Sequence, residues 1–182
     1  KRIFEYEHPK GDLHEIKAKV INPYLIDAPI ALIERRSNPL ISGIPKMVYG
    51  SMPIDNGNLI LSSQARAELL SACPNAEKYV RQYVDDDEFI NKKLRYCLWL
   101  VDCDPAELRL PGILQDRIKA NQDYRRSSQR SQTRILAKTP AAFGEIRQPS
   151  TPYLLIPKVS SENRDYIPIG FCSPNVIAGG TT

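Results

Sequence analysis

Hydrophobic and polar positions alternate at the start of the chain, within residues 1–6 (KRIFEY) and 14–20 (HEIKAKV). A repeat of about two residues is typical of β-strands with one exposed face. The sequence Pro-Lys-Gly-Asp lies between the two segments and is typical of a turn. We therefore expect a hairpin here, one that belongs to a neighbouring sheet.

Prolines interrupt the pattern over the following stretch. Five of them lie between Asn22 and Asn58, which excludes long helices and favours short extended pieces such as residues 46–49. Leu59, Ile60 and Leu61 then precede Ser62, a good helix cap before helix-forming residues up to Leu70. A loop-rich region followed by a helix of two to three turns is predicted.

The middle of the chain contains two further apolar patterns. Residues 76–84 (AEKYVRQYV) place two tyrosines and two valines on one side of a helix, so a helix is predicted. Residues 88–90 and 94–101, separated by the polar residues 91–93, predict a hairpin whose second strand is buried, with Trp99 in the core.

Residues 113–138 lack proline and are rich in helix formers, which predicts the longest helix, ended by Pro140. Beyond it, residues 153–156 and 166–171 read as two strands joined by the polar loop 160–165. The fold class expected from all these patterns is α+β, loop-rich, with short mixed strands and one long helix at about residues 113–138.

Composition narrows the class of protein. With 182 residues, 42% hydrophobic and 25% charged, the chain suits one globular domain. No apolar run approaches the roughly 18 residues of a membrane span, so no membrane partner is expected. The chain begins at Lys1 without a signal segment, which leads us to expect a piece of a longer cytoplasmic protein. Its four cysteines form no C-x-x-C pair, and we expect reduced thiols.

The net charge of +4 is small, but basic residues are concentrated between residues 125 and 158, where Glu145 is the single acid. On the predicted helix, Arg126, Arg130 and Arg134 recur every four residues and so share one face. This face is a candidate track for nucleic-acid phosphates. A solvated basic surface has the same composition.

The sequence also contains fragments of catalytic motifs, but each of them is incomplete. Glu15 and Lys17 match the E-x-K half of a metal-dependent nuclease site, and four consecutive acids, Asp85, Asp86, Asp87 and Glu88, resemble a metal cluster. No acid at suitable spacing precedes Glu15, and consecutive acids on a turn point in different directions. The chain contains no glycine-rich phosphate loop, nucleophile elbow or zinc-ligand spacing, so no cofactor is expected in it.

The segment INPYLIDAP, residues 21–29, permits two interpretations. It looks like an incomplete N-P-P-Y loop, in which Asn22 would accept hydrogen bonds from a target amine and Tyr24 would stack on a flipped base. Asn-Pro is also an ordinary turn signal, and the second proline of the loop is missing.

Longer blocks of sequence carry a family resemblance. They are FGEIRQP (143–149), PYLLIPK (152–158), SSENR (160–164) and YIPIGF (166–171), preceded by HEIKAK (14–19), INPYL (21–25), PKMVYGSMP (45–53) and LWLVD (98–102). In these blocks the chain resembles the target recognition domain of the MmeI-like DNA methyltransferases, which belong to type IIL and IIG restriction-modification enzymes. The resemblance covers nearly the whole chain.

The resemblance implies that residues 1–20 are the end of a methyltransferase sheet or a linker, and that residues 21–182 are the recognition domain. The family's N-P-P-[FY] loop and S-adenosylmethionine motif lie before INPYL, so Asn22 and Tyr24 are not catalytic. The implied partners are double-stranded DNA and the methyltransferase domain of the same parent chain. The parent, a bacterial cytoplasmic enzyme, would use S-adenosylmethionine to methylate adenine, and this chain alone would be no enzyme.

The residues expected to contact DNA come from the basic segment and the polar loop: Arg126, Gln129, Arg130, Arg134, Arg147, Lys158, Ser160, Ser161, Asn163 and Arg164. Two rivals remain open. One is a metal-dependent nuclease or another enzyme that uses Glu15, Lys17 and the acids at 85–88, and the other is a scaffold whose basic helix meets an acidic protein.

Overall fold

The computed structural model describes residues 1–8, 10–101, 103–104, 106, 112–161 and 163–180. Pro9 of the predicted turn, Asp102 of the LWLVD block and Glu162 of the predicted loop lie outside the described residues. The chain forms two compact units, unit 1 (Lys1–Met47) and unit 2 (Val48–Thr182). The expected domain boundary between residues 20 and 21 stays a prediction.

In chain order the elements are β1 (Arg2–Tyr6), β2 (Leu13–Lys17), β3 (Ile60–Leu61), α1 (Ser63–Ala72), β4 (Val80–Val84), α2 (Asp86–Asn91), β5 (Tyr96–Leu98), α3 (Ile113–Ser127), α4 (Ser131–Ile135), β6 (Tyr153–Leu155), β7 (Gly170–Cys172) and β8 (Val176–Ala178). Short 3-10 helices cover Pro74–Tyr79 and Leu136–Lys138. This mixture of helices and short strands confirms the expected α+β class.

Unit 1 contains the predicted N-terminal hairpin. Strands β1 and β2 pair antiparallel, with Arg2 opposite Lys17 and Tyr6 opposite Leu13. Every residue of β2 is exposed, and Ile3 alone is half-buried in β1. The loop-rich stretch predicted after the hairpin is also present, since no helix or strand is described between residues 18 and 59.

The central sheet of unit 2 has the strand order β3-β5-β4-β8. Strand β8 pairs parallel with β4, whereas the other neighbours are antiparallel. Residues 51–52 continue the sheet beyond β8, because Ser51 N donates to Ala178 O at 2.8 Å and Met52 N donates to Glu145 O at 2.9 Å. The preceding Gly50 has no room for a side chain, since a Cβ atom would lie 2.1 Å from the Gly179 carbonyl oxygen.

The main core lies against this sheet. Leu61, Leu98 and Ile177 from the strands are buried together with Leu69 of α1 and Leu114 of α3. The predicted core residue Trp99 is half-buried and packs edge-to-face on Phe143, with ring centroids 5.1 Å apart. A smaller cluster, in which Val84, Leu155 and Ala178 are buried, joins the two-stranded sheet β6–β7 to the central sheet.

Helix α1 begins where the sequence indicates. The Ser62 hydroxyl accepts from Ala65 N at 3.1 Å, as expected of a serine cap. The predicted strand pair at residues 153–156 and 166–171 is also confirmed, although β7 begins only at Gly170.

Two predictions for residues 76–101 are wrong. The segment 76–84 is a 3-10 helix followed by β4, because Val80 and Val84 are β-branched and the strand pairs with both β5 and β8. Residues 88–90 lie in α2 rather than in a strand. Asp85 and Glu88 form a capping box, in which Asp85 N donates to Glu88 Oε2 at 3.0 Å, and this starts the helix.

The helix predicted over residues 113–138 is interrupted. Helix α3 is the longest helix described, but it ends at Ser127, and Ser128 is extended with ψ at 138°. The chain then enters α4 and the 3-10 helix Leu136–Lys138. Two consecutive serines favour this break, since serine competes with the helix for backbone hydrogen bonds. Among the described residues, no helix has both the length and the apolarity needed to cross a bilayer.

Candidate nucleic-acid interface

The break after α3 is organised around Arg125. Its side chain is fully buried. The guanidinium Nε donates to Ile54 O at 2.9 Å, Nη2 donates to Pro53 O and Ala142 O, both at 2.8 Å, and Nη1 donates to Leu136 O and Thr139 O at 3.1 and 2.8 Å. Burial lowers the pKa of the Arg125 guanidinium. Arg125 thereby ties α3 to the two segments 53–54 and 136–142.

Other polar residues on the inner face of α3 also bind backbone carbonyls. Arg117 Nη1 donates to Asn58 O at 2.9 Å, Asn121 Nδ2 to Pro140 O at 2.7 Å and Gln122 Nε2 to Ala137 O at 3.1 Å. The middle of this helix has few apolar residues, a composition typical of an exposed helix. Asn121 and Arg125 are instead completely buried, because they satisfy the carbonyls of neighbouring loops.

The break separates the three arginines expected on one helical face. Arg126 is on α3, Arg130 occupies the cap position before α4, and Arg134 is on α4. Arg126 Nη1 lies 3.8 Å from Asp123 Oδ1, so it has an acidic partner that the sequence reading missed. Arg134 Nη1 donates to Ser128 O and Gln129 O, both at 2.8 Å, and so caps the end of α3. The prediction that the three arginines share one continuous helical face is therefore wrong.

Arg130 differs from its two neighbours in this group. Within the described residues, its side chain has no hydrogen bond or ion pair, and it is exposed, as is Gln129. Ser128 Oγ accepts from Arg130 N at 3.2 Å, which fixes the backbone while leaving the guanidinium in solvent. Arg130 is thus available to an outside anion.

Arg147 and Lys158 come together at the segment before residue 51. Arg147 Nη1 donates to Gly50 O at 3.2 Å, and its Nη2 also pairs with Glu145. Lys158 Nζ lies 5.7 Å from the centre of the Tyr49 ring, a cation–π contact. Because Tyr49 and Gly50 are consecutive, they place two cations, Arg147 and Lys158, on adjacent parts of one surface.

The polar loop follows directly from Lys158. Lys158 N donates to Asp86 Oδ1 at 3.0 Å, which fastens the start of the loop to the first turn of α2. Ser161 Oγ accepts from Asn163 N at 3.2 Å, and Arg164 N donates to Ser161 O at 3.2 Å. Ser160, Ser161, Asn163 and Arg164 are all exposed. Their side chains are therefore presented to solvent from a turn with internal hydrogen bonds.

The hairpin that carries this loop has an apolar outer face that sequence reasoning missed. Leu154 and Phe171 lie directly opposite each other and are 49% and 88% exposed, and Tyr166 is 87% exposed. Tyr153, Leu155 and Cys172 point to the smaller core instead. Period-two alternation in β6 could have indicated that Leu154 faces away from the core.

The acids of the nuclease alternative have other roles. Glu15 is exposed on β2 and lies 3.6 Å from Arg2 Nη1. Glu88 is buried and pairs with Arg95 Nε at 3.0 Å, while Asp87 accepts from Lys93 Nζ at 2.7 Å. The hydrogen bonds from Lys93 and Asn91 lower the pKa of Asp87. No group of three potential metal ligands occurs among the described residues. The nuclease alternative therefore has no support.

The INPYL segment is a turn. The Asn22 carboxamide oxygen accepts from Tyr24 N at 2.9 Å and from Ile26 N at 3.3 Å, and Asn22 is buried. The Tyr24 hydroxyl accepts from Ile33 N at 2.7 Å. The Asn22 carboxamide oxygen, which a catalytic loop would offer to the target amine, is thus already engaged with nearby backbone N–H groups.

Comparisons with known proteins identify relatives of this chain. DNA methyltransferase A from Bacillus subtilis (strain 168) is 34% identical over 157 residues, which are 86% of this chain and 18% of that protein. A solved structure of the type IIL restriction-modification enzyme MmeI in complex with DNA matches with a TM-score of 0.90 and 44% identity. It covers 100% of this chain and 24% of the MmeI chain. This chain thus spans less than a quarter of either relative. The family model of the MmeI target recognition domain matches residues 27–182, and the chain belongs to this family.

Proposed function

We propose that this chain recognises a short sequence in duplex DNA and orients the duplex for a site-specific DNA methyltransferase of a bacterial restriction-modification system. The observation that carries the proposal is the exposed loop of Ser160, Ser161, Asn163 and Arg164, held at its base by Lys158 and Asp86. Hydroxyl, amide and guanidinium groups on such a loop can pair with base edges in a groove. Family membership and the MmeI–DNA relative support this role.

The basic residues of the candidate interface differ in whether their side chains already have partners. Arg130 and Gln129 are exposed and can reach phosphates directly. Arg147 and Lys158 lie beside Tyr49 and Gly50 and offer charge near the start of the loop. Arg126, Arg134 and Arg147 already have partners within the chain, so their contribution to DNA binding is smaller and mainly electrostatic. Phosphate contacts of this kind position a duplex without reading its sequence.

The chemistry belongs to the longer protein. In this proposal the methyltransferase part binds S-adenosylmethionine and transfers the methyl group to the exocyclic amine of an adenine flipped from the duplex. This chain contributes binding, orientation and specificity, and carries no catalytic residue. A bacterial enzyme that acts on chromosomal DNA works in the cytoplasm.

Duplex binding by the purified chain tests the proposal. We expect it to retard duplex DNA in a gel without magnesium and to leave the duplex uncut when magnesium is added. Failure to bind any duplex would overturn the recognition role and would favour an acidic protein as the partner of the basic surface. Cleavage with magnesium would show an activity that the structure does not support.

Specificity needs a separate measurement on the full-length protein. The pattern of methylated sites in genomic DNA gives the recognition sequence. Replacing Asn163 or Arg164 is expected to change preference among sites, because these side chains lie in the exposed loop. An Arg130→Gln variant serves as the control and is expected to bind less tightly without a change of preferred site.

A further inference from the structure

Unit 1 lacks a hydrophobic core of its own. Ala18 and Asn22 are its only buried residues among those described. A two-stranded hairpin is marginal in water, and a unit of fewer than 50 residues with so little burial gains little stability from its own core. Another surface must supply the missing burial.

The uncovered apolar residues are concentrated between residues 25 and 47, which we name the apolar segment. Six of them have between 72% and 81% of their surface exposed: Leu25, Ile30, Leu32, Ile33, Leu40 and Met47. Many exposed apolar side chains within one short segment are typical of an interaction site.

The charge of the apolar segment argues against nucleic acid as the partner that binds and covers it. It contains two acidic residues, Asp27 and Glu34, and three basic residues, Arg35, Arg36 and Lys46. Its positive and negative charges therefore nearly balance. A phosphate backbone is bound by an excess of arginine and lysine. Apolar side chains with balanced charge fit a protein surface instead.

We propose that the apolar segment is an intramolecular docking element covered by the methyltransferase part of the longer protein. The inference rests on the proposed function. This chain matches only 18% of DNA methyltransferase A and 24% of the MmeI chain, so each relative has a large remainder covalently attached to the matched region. A surface on the same polypeptide has a high effective concentration and outcompetes separate proteins.

Trypsin provides the test, because Arg35 and Arg36 lie in the middle of the apolar segment and are exposed. In the isolated chain we expect rapid cleavage after these residues. In the full-length protein we expect cleavage at least tenfold slower, since docking covers them. Trypsin cannot cleave after residues 35 and 36 in an R35Q/R36Q variant. The fragments that are missing from its digest are therefore the ones produced by cleavage at these two sites.

Variants connect the protection to the apolar side chains. In the full-length protein, L32S/I33S/L40S is expected to restore rapid cleavage at residues 35 and 36. Ile167→Ser removes an exposed apolar side chain of unit 2 and is the matched control, which is expected to stay protected. Circular dichroism of each variant separates undocking from global unfolding.

Three results would overturn the proposal. Equal cleavage rates in the isolated chain and the full-length protein would show that nothing docks. Protection of the isolated chain that grows with its own concentration would identify a second copy as the cover, and protection that depends on added duplex would identify DNA. Duplex binding by the isolated chain is scored separately, so the recognition role and the docking role fail independently.

Discussion

Arg125 and Arg126 are adjacent in sequence and have different surroundings. The guanidinium of Arg125 is enclosed by five backbone carbonyls, whereas the side chain of Arg126 is 63% exposed and lies near Asp123. The buried Arg125 is stable here because carbonyl acceptors replace the water that would solvate it, and the nearby carboxylate of Asp55 also favours its charged form. The same residue type thus provides structural hydrogen bonds in one position and surface charge in the next.

Replacing Arg125 with Met is expected to lower the free energy of unfolding by at least about 3 kcal/mol, because buried carbonyls lose their donors. Arg126→Met is the control and is expected to change stability by no more than about 0.5 kcal/mol. Urea denaturation of both variants measures the difference. Similar losses in the two variants would contradict a structural role for Arg125.

Arg130→Gln tests the phosphate contact proposed for Arg130, which is exposed. Removing one phosphate-bound cation is expected to reduce the slope of log affinity against log salt by about one unit, with the melting temperature unchanged. Arg134→Gln is the informative comparison, since it also removes the bonds to Ser128 O and Gln129 O and is expected to lower the melting temperature. An unchanged salt slope in R130Q would remove Arg130 from the interface.

The burial of polar residues on α3 follows in part from their spacing in the sequence. Leu114, Ile118, Asn121 and Arg125 follow the i, i+4, i+7, i+11 pattern of one helical stripe, which places the two polar residues on the core-facing side. The identity of their partners could not be predicted, because the carbonyls of Pro53 and Ile54 are distant in sequence.

At the scale of elements, local patterns predicted the hairpin β1–β2, helix α1 and the strand pair β6–β7. They failed where tertiary contacts decide the outcome. Residues 80–84 have tyrosine and valine spaced for a helical face, yet they form β4 because β5 and β8 both pair with them. Helix propensity likewise continues past Ser127, but the carbonyls of Ser128 and Gln129 bind Arg134 instead of extending the helix.

Tyr153, on strand β6, is expected to make the stability of the folded chain depend on pH in the alkaline range. Burial raises the pKa of Tyr153 to about 12, and its hydroxyl donates to Val176 O at 2.7 Å. The folded state therefore favours the protonated phenol over the unfolded state, where the pKa is about 10. The free energy of unfolding is expected to be constant with respect to this group below about pH 10 and to fall as the pH rises toward about 12.

The variant Tyr153→Phe isolates this contribution. Its free energy of unfolding is expected to be about 1 kcal/mol lower at pH 8, because the hydrogen bond is lost. Between pH 9 and pH 11 its free energy of unfolding is expected to fall less than that of the unsubstituted chain. Tyr166→Phe, which changes an exposed ring, is the control. Chemical denaturation at several pH values measures both. Parallel pH profiles for Y153F and the unsubstituted chain would exclude Tyr153 as the cause.

At the scale of the whole molecule, the resemblance in extended sequence blocks predicted the family, because ordered motifs such as PYLLIPK and YIPIGF are more specific than any single element. The split into two compact units at residues 47 and 48 carried no comparable sequence signal, since prolines occur on both sides.

The chain alone is expected neither to bind S-adenosylmethionine nor to methylate DNA. The glycine motif and the N-P-P-[FY] loop expected of the methyltransferase part are absent from its sequence, and the Asn22 carboxamide oxygen already accepts hydrogen bonds from Tyr24 N and Ile26 N. Isothermal titration calorimetry with the cofactor, repeated on the full-length protein as a positive control, measures this. Stoichiometric binding by the isolated chain would contradict the proposed division of roles.

The position of β8 in the central sheet has a consequence for biosynthesis. Residues 176–178 fill the place between β4 and the segment of Ser51 and Met52, yet they are translated long after both. On the ribosome the nascent chain therefore has an unfilled sheet edge at Val84 until those residues emerge. Pairings between sequence-distant strands form slowly. Nascent chains that stall before residue 176 are expected to expose that edge and to depend on chaperones.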